Sequence, residues 1–216
     1  GSRDALVEAS GALKTVAVSL AKIASDIRLL SCGPRTGIGE IAIPELQPGS
    51  SIMPGKVNPV MPEMMLQVCA QVVGNDAAVT LGGLYGQLDL NVMMPLMAHN
   101  LLQSIALLAA ACRTFDERCV SRGPAMPNNP DNVKGIVANR ERARALVENS
   151  LMPVTALVPK LGYKEAAAIA QEAHRSGKTV RDVVLAKGLL SAKELDALLD
   201  LSAMTKPGIR EGGGGG

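Results

Sequence analysis

The chain has 216 residues, 47% hydrophobic and 19% charged, enough apolar material for one large domain and a small one beside it. Aromatic residues make up 1% of it, so Ala, Leu, Val and Met must fill the interior, which suits close-packed helices and argues against a sandwich or barrel. A formal net charge of +2 with scattered basic residues gives no reason to expect nucleic acid or an anionic membrane as a partner.

Gly1-Ser2-Arg3-Asp4 lacks the charged and then apolar build-up of a signal peptide, and Gly1-Ser2 looks like a cloning remnant. From Arg3 to Leu30 the apolar positions Leu6, Leu13, Val16, Leu20, Ile23, Ile27 and Leu30 follow a seven-residue repeat. Alternating steps of three and four predict one long helix, about 40 Å at roughly 1.5 Å per residue, with one face packed in a bundle. From Ser31 to Pro62 glycines and prolines exclude a continuous helix, and apart from a short extended piece at Ile41-Ala42-Ile43 the segment reads as one long loop. Loops of this length inside compact domains are usually functional or disordered.

A second helix is expected from Pro62-Glu63 to about Val79 or Leu84, with Gly82-Gly83 weakening or ending it. A third covers about Leu90 to Val120 and is apolar almost all round between Leu96 and Cys112, which places it at a bundle centre or in a subunit interface. His99, Asn100, Gln103 and Ser104 interrupt that stretch and make it a poor membrane span. His99 is read as a core residue of this helix. Arg122 to Lys134 is a proline-rich linker. Short helices follow at about Arg140–Ser150, Tyr163–Ser176, Thr179–Lys187 and Ser191–Leu199, with Ser191 and Glu194 forming a capping box and Gly177 and Gly188 as stop signals. His174 is read as surface polar. The five glycines at the end are excluded from the fold.

The prediction is an all-α fold: a long-helix bundle over residues 3–121 holding a loop at 44–62, a linker at 122–134, a small helical C-terminal domain at 135–210 and a glycine tail at 211–216. Cys32, Cys69, Cys112 and Cys119 form no CxxC arrangement and read as free thiols of a cytoplasmic protein, with no metal site.

The stretch from Gly49 to Pro59 carries the chemistry. Gly49 and Gly55 open backbone conformations that let a loop fold back and present N–H groups to an anion. Ser50 and Ser51 supply adjacent hydroxyls, Lys56 a point charge and Asn58 an amide, both suited to a carboxylate, and Glu63 follows at a helix start. Such a loop could hold a small dianion; on composition alone a mobile surface turn stays open beside it. A phosphate-binding P-loop is excluded, because Val57 follows Lys56 where Ser or Thr is required.

The same loop resembles the signature GSxxMxxKxNP of the superfamily that contains class II fumarases, aspartases, argininosuccinate lyases and adenylosuccinate lyases. Gly49, Ser50, Met53, Lys56, Asn58 and Pro59 meet all its fixed positions. Ser10-Gly11-Ala12-Leu13-Lys14, Asp26-Ile27-Arg28, Gly33-Pro34-Arg35, Gly74-Asn75-Asp76, Gly86 to Val92 and Ser150 to Leu157 also look like class II fumarase or aspartase. The resemblance implies anti elimination and addition across a C4 dicarboxylate through a carbanion, with Ser50 as base and no cofactor. It implies substrate-binding roles for Ser51, Lys56, Val57 and Asn58, and for Glu63 the task of polarising a histidine. It further implies a homotetramer with each active site built from three subunits.

Members of the superfamily are longer, and the match is to their C-terminal part, so the N-terminal domain and two of three active-site segments, including that histidine, have no counterpart here. Fumarate hydration, a step of the tricarboxylic acid cycle, is the first expectation. Aspartate ammonia-lyase is the second, favoured by Val60-Met61-Pro62-Glu63, Gln87 to Leu90 and Thr205 to Ile209. A reading from another class is a catalytically silent helical assembly module.

Overall fold

The computed structural model describes residues 1–33, 35–47, 49, 52–121 and 135–206, and the chain divides into two compact units between Asn139 and Arg140. The first unit is built on three long helices: α1 (Asp4–Leu30), α2 (Val60–Leu84) and α3 (Met94–Phe115). A π-helical turn, Asp116–Val120, continues α3. The fold is all-α apart from one two-stranded ribbon among the described residues, β1 (Ile41–Ala42) with β2 (Val137–Ala138), antiparallel with Ile41 opposite Ala138.

The long helix α1 forms where the heptad predicts it, but its buried seam is a neighbouring one. Ser10, Ala17 and Ala24 are fully buried at seven-residue spacing, flanked by the half-buried Leu13, Leu20 and Ile27. Val16 and Ile23, expected on the packed face, are exposed. Small residues at the seam let α2 approach closely, while the branched residues form a second, uncovered stripe.

Within this chain it is α2, not the third helix, that is central: it packs on both α1 and α3 and buries Met65, Cys69, Val72 and Val79. It starts two residues before Pro62, which stands in the first turn, where its missing N–H breaks no helical bond. Nor do the paired glycines end it. Gly82 is buried, and a Cβ there would meet Met97 Cγ at 2.5 Å, so the glycine is the contact point with α3.

Polar side chains fix the register of the three helices. The buried Asp76 of α2 accepts from Ser10 Oγ at 2.8 Å and from Lys14 Nζ at 2.5 Å, tying α2 to α1. Asn75 Nδ2 donates to Gln103 Oε1 and Ser104 Oγ, each at 3.0 Å, tying α2 to α3. Loss of either set would leave buried polar atoms unsatisfied, at about 1–3 kcal/mol per group.

Burial on α3 is confined to Met97, Ser104, Leu108, Ala111 and Phe115, while Leu96, Leu102 and Ile105 are exposed. His99 is exposed as well, so it is no core residue of this chain. By length and composition alone Met94–Val120 is long and apolar enough to cross a membrane. The polar interruptions therefore do not disqualify it on hydropathy; two of them, Gln103 and Ser104, serve instead in the contact with α2.

The second unit starts at Arg140 rather than at residue 135, because Val137 and Ala138 pair with β1 and the Asn139 N–H donates to Glu40 O. It holds α4 (Arg140–Glu148), a 3-10 turn (Met152–Leu157), α5 (Val158–Leu161), α6 (Tyr163–Ser176), α7 (Val180–Ala186), α8 (Ala192–Leu198) and α9 (Leu201–Met204). Leu157, Ile169, Ala173, Val180, Val183, Val184, Leu190 and Leu195 form its core. His174 is exposed.

Capping sets the order of the short helices. The expected Ser191–Glu194 box at α8 is present, and Thr179 with Asp182 makes a second box at α7. Hydrogen bonds from Lys160 and then Ser191 hold the Glu194 carboxyl down at about 2, well below its ordinary value near 4.5. A carboxyl depressed by folding contributes stability above its unfolded value and loses it as pH falls through the folded one. The helix signal of the chain should therefore melt at lower temperature as pH drops from about 4.5 to 2. Glu194→Gln should flatten that dependence in circular-dichroism melts. An equal drop in parent and variant would remove Glu194 from the acid response.

Candidate active site

The signature loop sits between the ribbon and the first turn of α2. Its base is a closed neck. The Asn58 Nδ2 donates to the Gly49 carbonyl at 2.7 Å, and a Cβ on residue 49 would lie 1.7 Å from the Lys56 carbonyl oxygen. No side chain fits there, so glycine at 49 is what lets the two strands of the loop touch. Beyond the neck the Lys56 N–H bonds the Met53 carbonyl at 3.2 Å, making a turn through Gly55, whose φ of 78° favours glycine.

Ser50 and Ser51, expected as base and binding hydroxyl, lie outside the described residues. Lys56 and Val57 are exposed, and Ile52 is 91% exposed, a branched apolar side chain held out from the surface. Asn58 is half-buried, and its role in the neck was not expected. An amide nitrogen has two N–H groups, and one of them closes the neck.

Glu63 is positioned by helix geometry. Its N–H bonds the Pro59 carbonyl at 3.1 Å in the first turn of α2, where the helix dipole favours a carboxylate. Its side chain ion-pairs with Arg28 Nε of α1 at 3.4 Å. Sequence reasoning did not pick out that arginine beside the loop; its signals were a place in the family-like segment Asp26-Ile27-Arg28 and a basic side chain in the last turn of the helix before the loop. The structure thus brings together Gly49, Lys56 and Asn58 around the loop, with Glu63 one turn into the helix that follows.

Other candidate chemistry is sparse. Among the described residues no three His, Cys, Asp or Glu side chains cluster as metal ligands. All four cysteines are free; burial pushes the Cys119 thiol up to about 11 and raises that of Cys69, which suits inert thiols. The second unit has an open groove of about 1190 Å³ lined by Arg144, Arg181, Asp196 and others. Two of its arginines are already engaged, Arg144 by Glu148 and Arg181 by Asp196.

Residues 1–74 match the family described as lyase, and residues 154–206 the family described as fumarase C C-terminus. A class II fumarate hydratase of Mycobacterium tuberculosis is 51% identical over 209 residues, 95% of this chain and 41% of that protein. A mitochondrial fumarate hydratase of Arabidopsis thaliana is 49% identical over 95% of this chain and 39% of that protein. Among solved structures, a fumarate lyase/delta crystallin from Brucella melitensis bound to cobalt superposes with a TM-score of 0.83 at 50% identity, over 95% of this chain and 42% of that one. The class II fumarase of Schistosoma mansoni gives 0.81 at 35% identity, over 95% and 41%. The chain thus spans about two fifths of the length of the relatives it matches.

Proposed function

Since the chain belongs to the fumarase/aspartase lyase superfamily, we propose that it supplies the C-terminal part of a carbon–oxygen lyase that interconverts fumarate and malate. The observation that carries this reading is the complete signature loop on a closed neck, with Lys56 presented to solvent and Glu63 at the start of the next helix. Fumarate hydration and its reverse proceed by anti addition and elimination of water. In the elimination direction Ser50 takes the proton from carbon 3 of malate, an aci-carboxylate carbanion forms, and hydroxide leaves carbon 2 as water with a proton from the enzyme.

A proton next to a carboxylate is weakly acidic, so stabilising the dianionic carboxylate is the main catalytic task. Lys56 does this as a point charge; Ser51, Val57 and Asn58 add directional contacts. Glu63 polarises a histidine that another segment of the fold provides. No cofactor or metal takes part.

The uncovered apolar stripes of α1 and α3 pack against copies of the same chain in a tetramer, and each active site draws on three subunits. The protein works in the cytoplasm, where its thiols stay reduced.

The test is turnover by an assembled enzyme, made by co-expressing this chain with the N-terminal part of a class II fumarate hydratase. Fumarate hydration is expected; aspartate deamination instead would establish the ammonia-lyase reading, which the Gln87 to Leu90 segment favours. In the same assembly Lys56→Met should weaken a dicarboxylate inhibitor by about 1.5–3 kcal/mol, the range for hydrogen bonds to charged groups. Unchanged affinity by calorimetry would make Lys56 a structural residue.

A further inference from the structure

The Arg28–Glu63 pair joins the last turn of α1 to the first turn of α2, and the proposed chemistry leaves Arg28 without a task. Its Nε lies 3.4 Å from Glu63 Oε1, with the two side chains 54% and 36% exposed. A pair this exposed adds little stability, typically below about 1 kcal/mol. Its geometric effect is larger. The Glu63 backbone is already fixed by its bond to the Pro59 carbonyl, directly beside the residue that closes the loop neck. What remains free is the side chain, and Arg28 takes up that freedom by holding one carboxylate oxygen. Among the described residues Arg28 is the one cation within ion-pair distance of Glu63.

We propose that Arg28 is a positioning residue: it holds Glu63 by Oε1 so that Oε2 faces the histidine that Glu63 polarises. This rests on the proposed role of Glu63. A small misplacement of a catalytic group can cost up to about 10²-fold in rate without altering substrate affinity. In the assembled enzyme Arg28→Gln should lower kcat by about 5- to 50-fold with KM changed less than about twofold, and Arg28→Lys should recover at least about a third of the parent kcat. Because Arg28 acts through Glu63, adding Arg28→Gln to Glu63→Gln should cost nothing more.

A second measurement needs no turnover: in this chain itself, Arg28→Gln should move the carboxyl ¹³C resonance of Glu63, assigned through Glu63→Gln. An unmoved resonance, an unchanged kcat in Arg28→Gln, or additive losses in the double variant would each overturn the proposal. Parent-like turnover in Glu63→Gln alone would instead sink the role of Glu63 on which it rests.

Discussion

Ser50→Ala in the assembled enzyme should lower kcat by at least about 10²-fold, the loss typical of removing a general base, with little change in KM. A neutral serine is a poor base, so the alkoxide must be favoured by its surroundings. The sequence around it is suited to that: Gly49 and Gly55 are residue types that let a loop turn its N–H groups towards an anion, and Lys56 brings a positive charge to the same loop. Excluding water strengthens both effects. The substitution removes one oxygen at a position next to the neck glycine, where alanine is sterically as small as serine. A variant that keeps more than a tenth of the parent kcat would take the base role away from Ser50, and Ser51→Ala would be measured next.

The chain on its own should turn over neither fumarate nor aspartate, at less than about one-thousandth of the assembled rate, since a missing acid–base partner alone costs about 10²–10⁴-fold. Glu63 has Arg28 as its described partner, not a histidine, and the chain's two histidines are exposed on α3 and α6. Neither stands in the loop or in the first turn of α2. The isolated chain should nevertheless self-associate. Leu96, Leu102 and Ile105 of α3 and Val16 and Ile23 of α1 are exposed, and apolar stripes of this kind drive association. Light scattering beside a fumarate assay would read both halves of this expectation. A monomer would remove the assembly reading; steady turnover would mean that the other active-site segments are dispensable.

The long helices were legible because their periodicity runs over many turns, yet the covered stripe of α1 was not. A seven-residue repeat generates two adjacent seams, one through Ser10, Ala17 and Ala24 and one through Val16 and Ile23, and the choice between them belongs to the neighbour. Hydropathy favours the branched residues, whereas close approach of α2 favours the small ones. The ribbon was half legible: Ile41-Ala42 shows as extended, but two-residue strands have no period, and nothing local links them to Val137-Ala138 far along the chain.

The loop stood out by motif, since its residue types are fixed by chemistry. Its neck did not, because the Asn58-to-Gly49 bond depends on how the chain closes, and a side chain chosen for a ligand serves the backbone equally well. Arg28 was hidden for the same reason: its partner is set by how α1 meets α2.

The most direct test of the whole account is a complementation assay, in which fumarate hydration is followed while purified 216-residue chain is refolded with the N-terminal part of a class II fumarate hydratase. Activity should appear in the mixture alone and vanish when the chain carries Ser50→Ala. Activity in the chain without its complement, or in the mixture carrying Ser50→Ala, would contradict it.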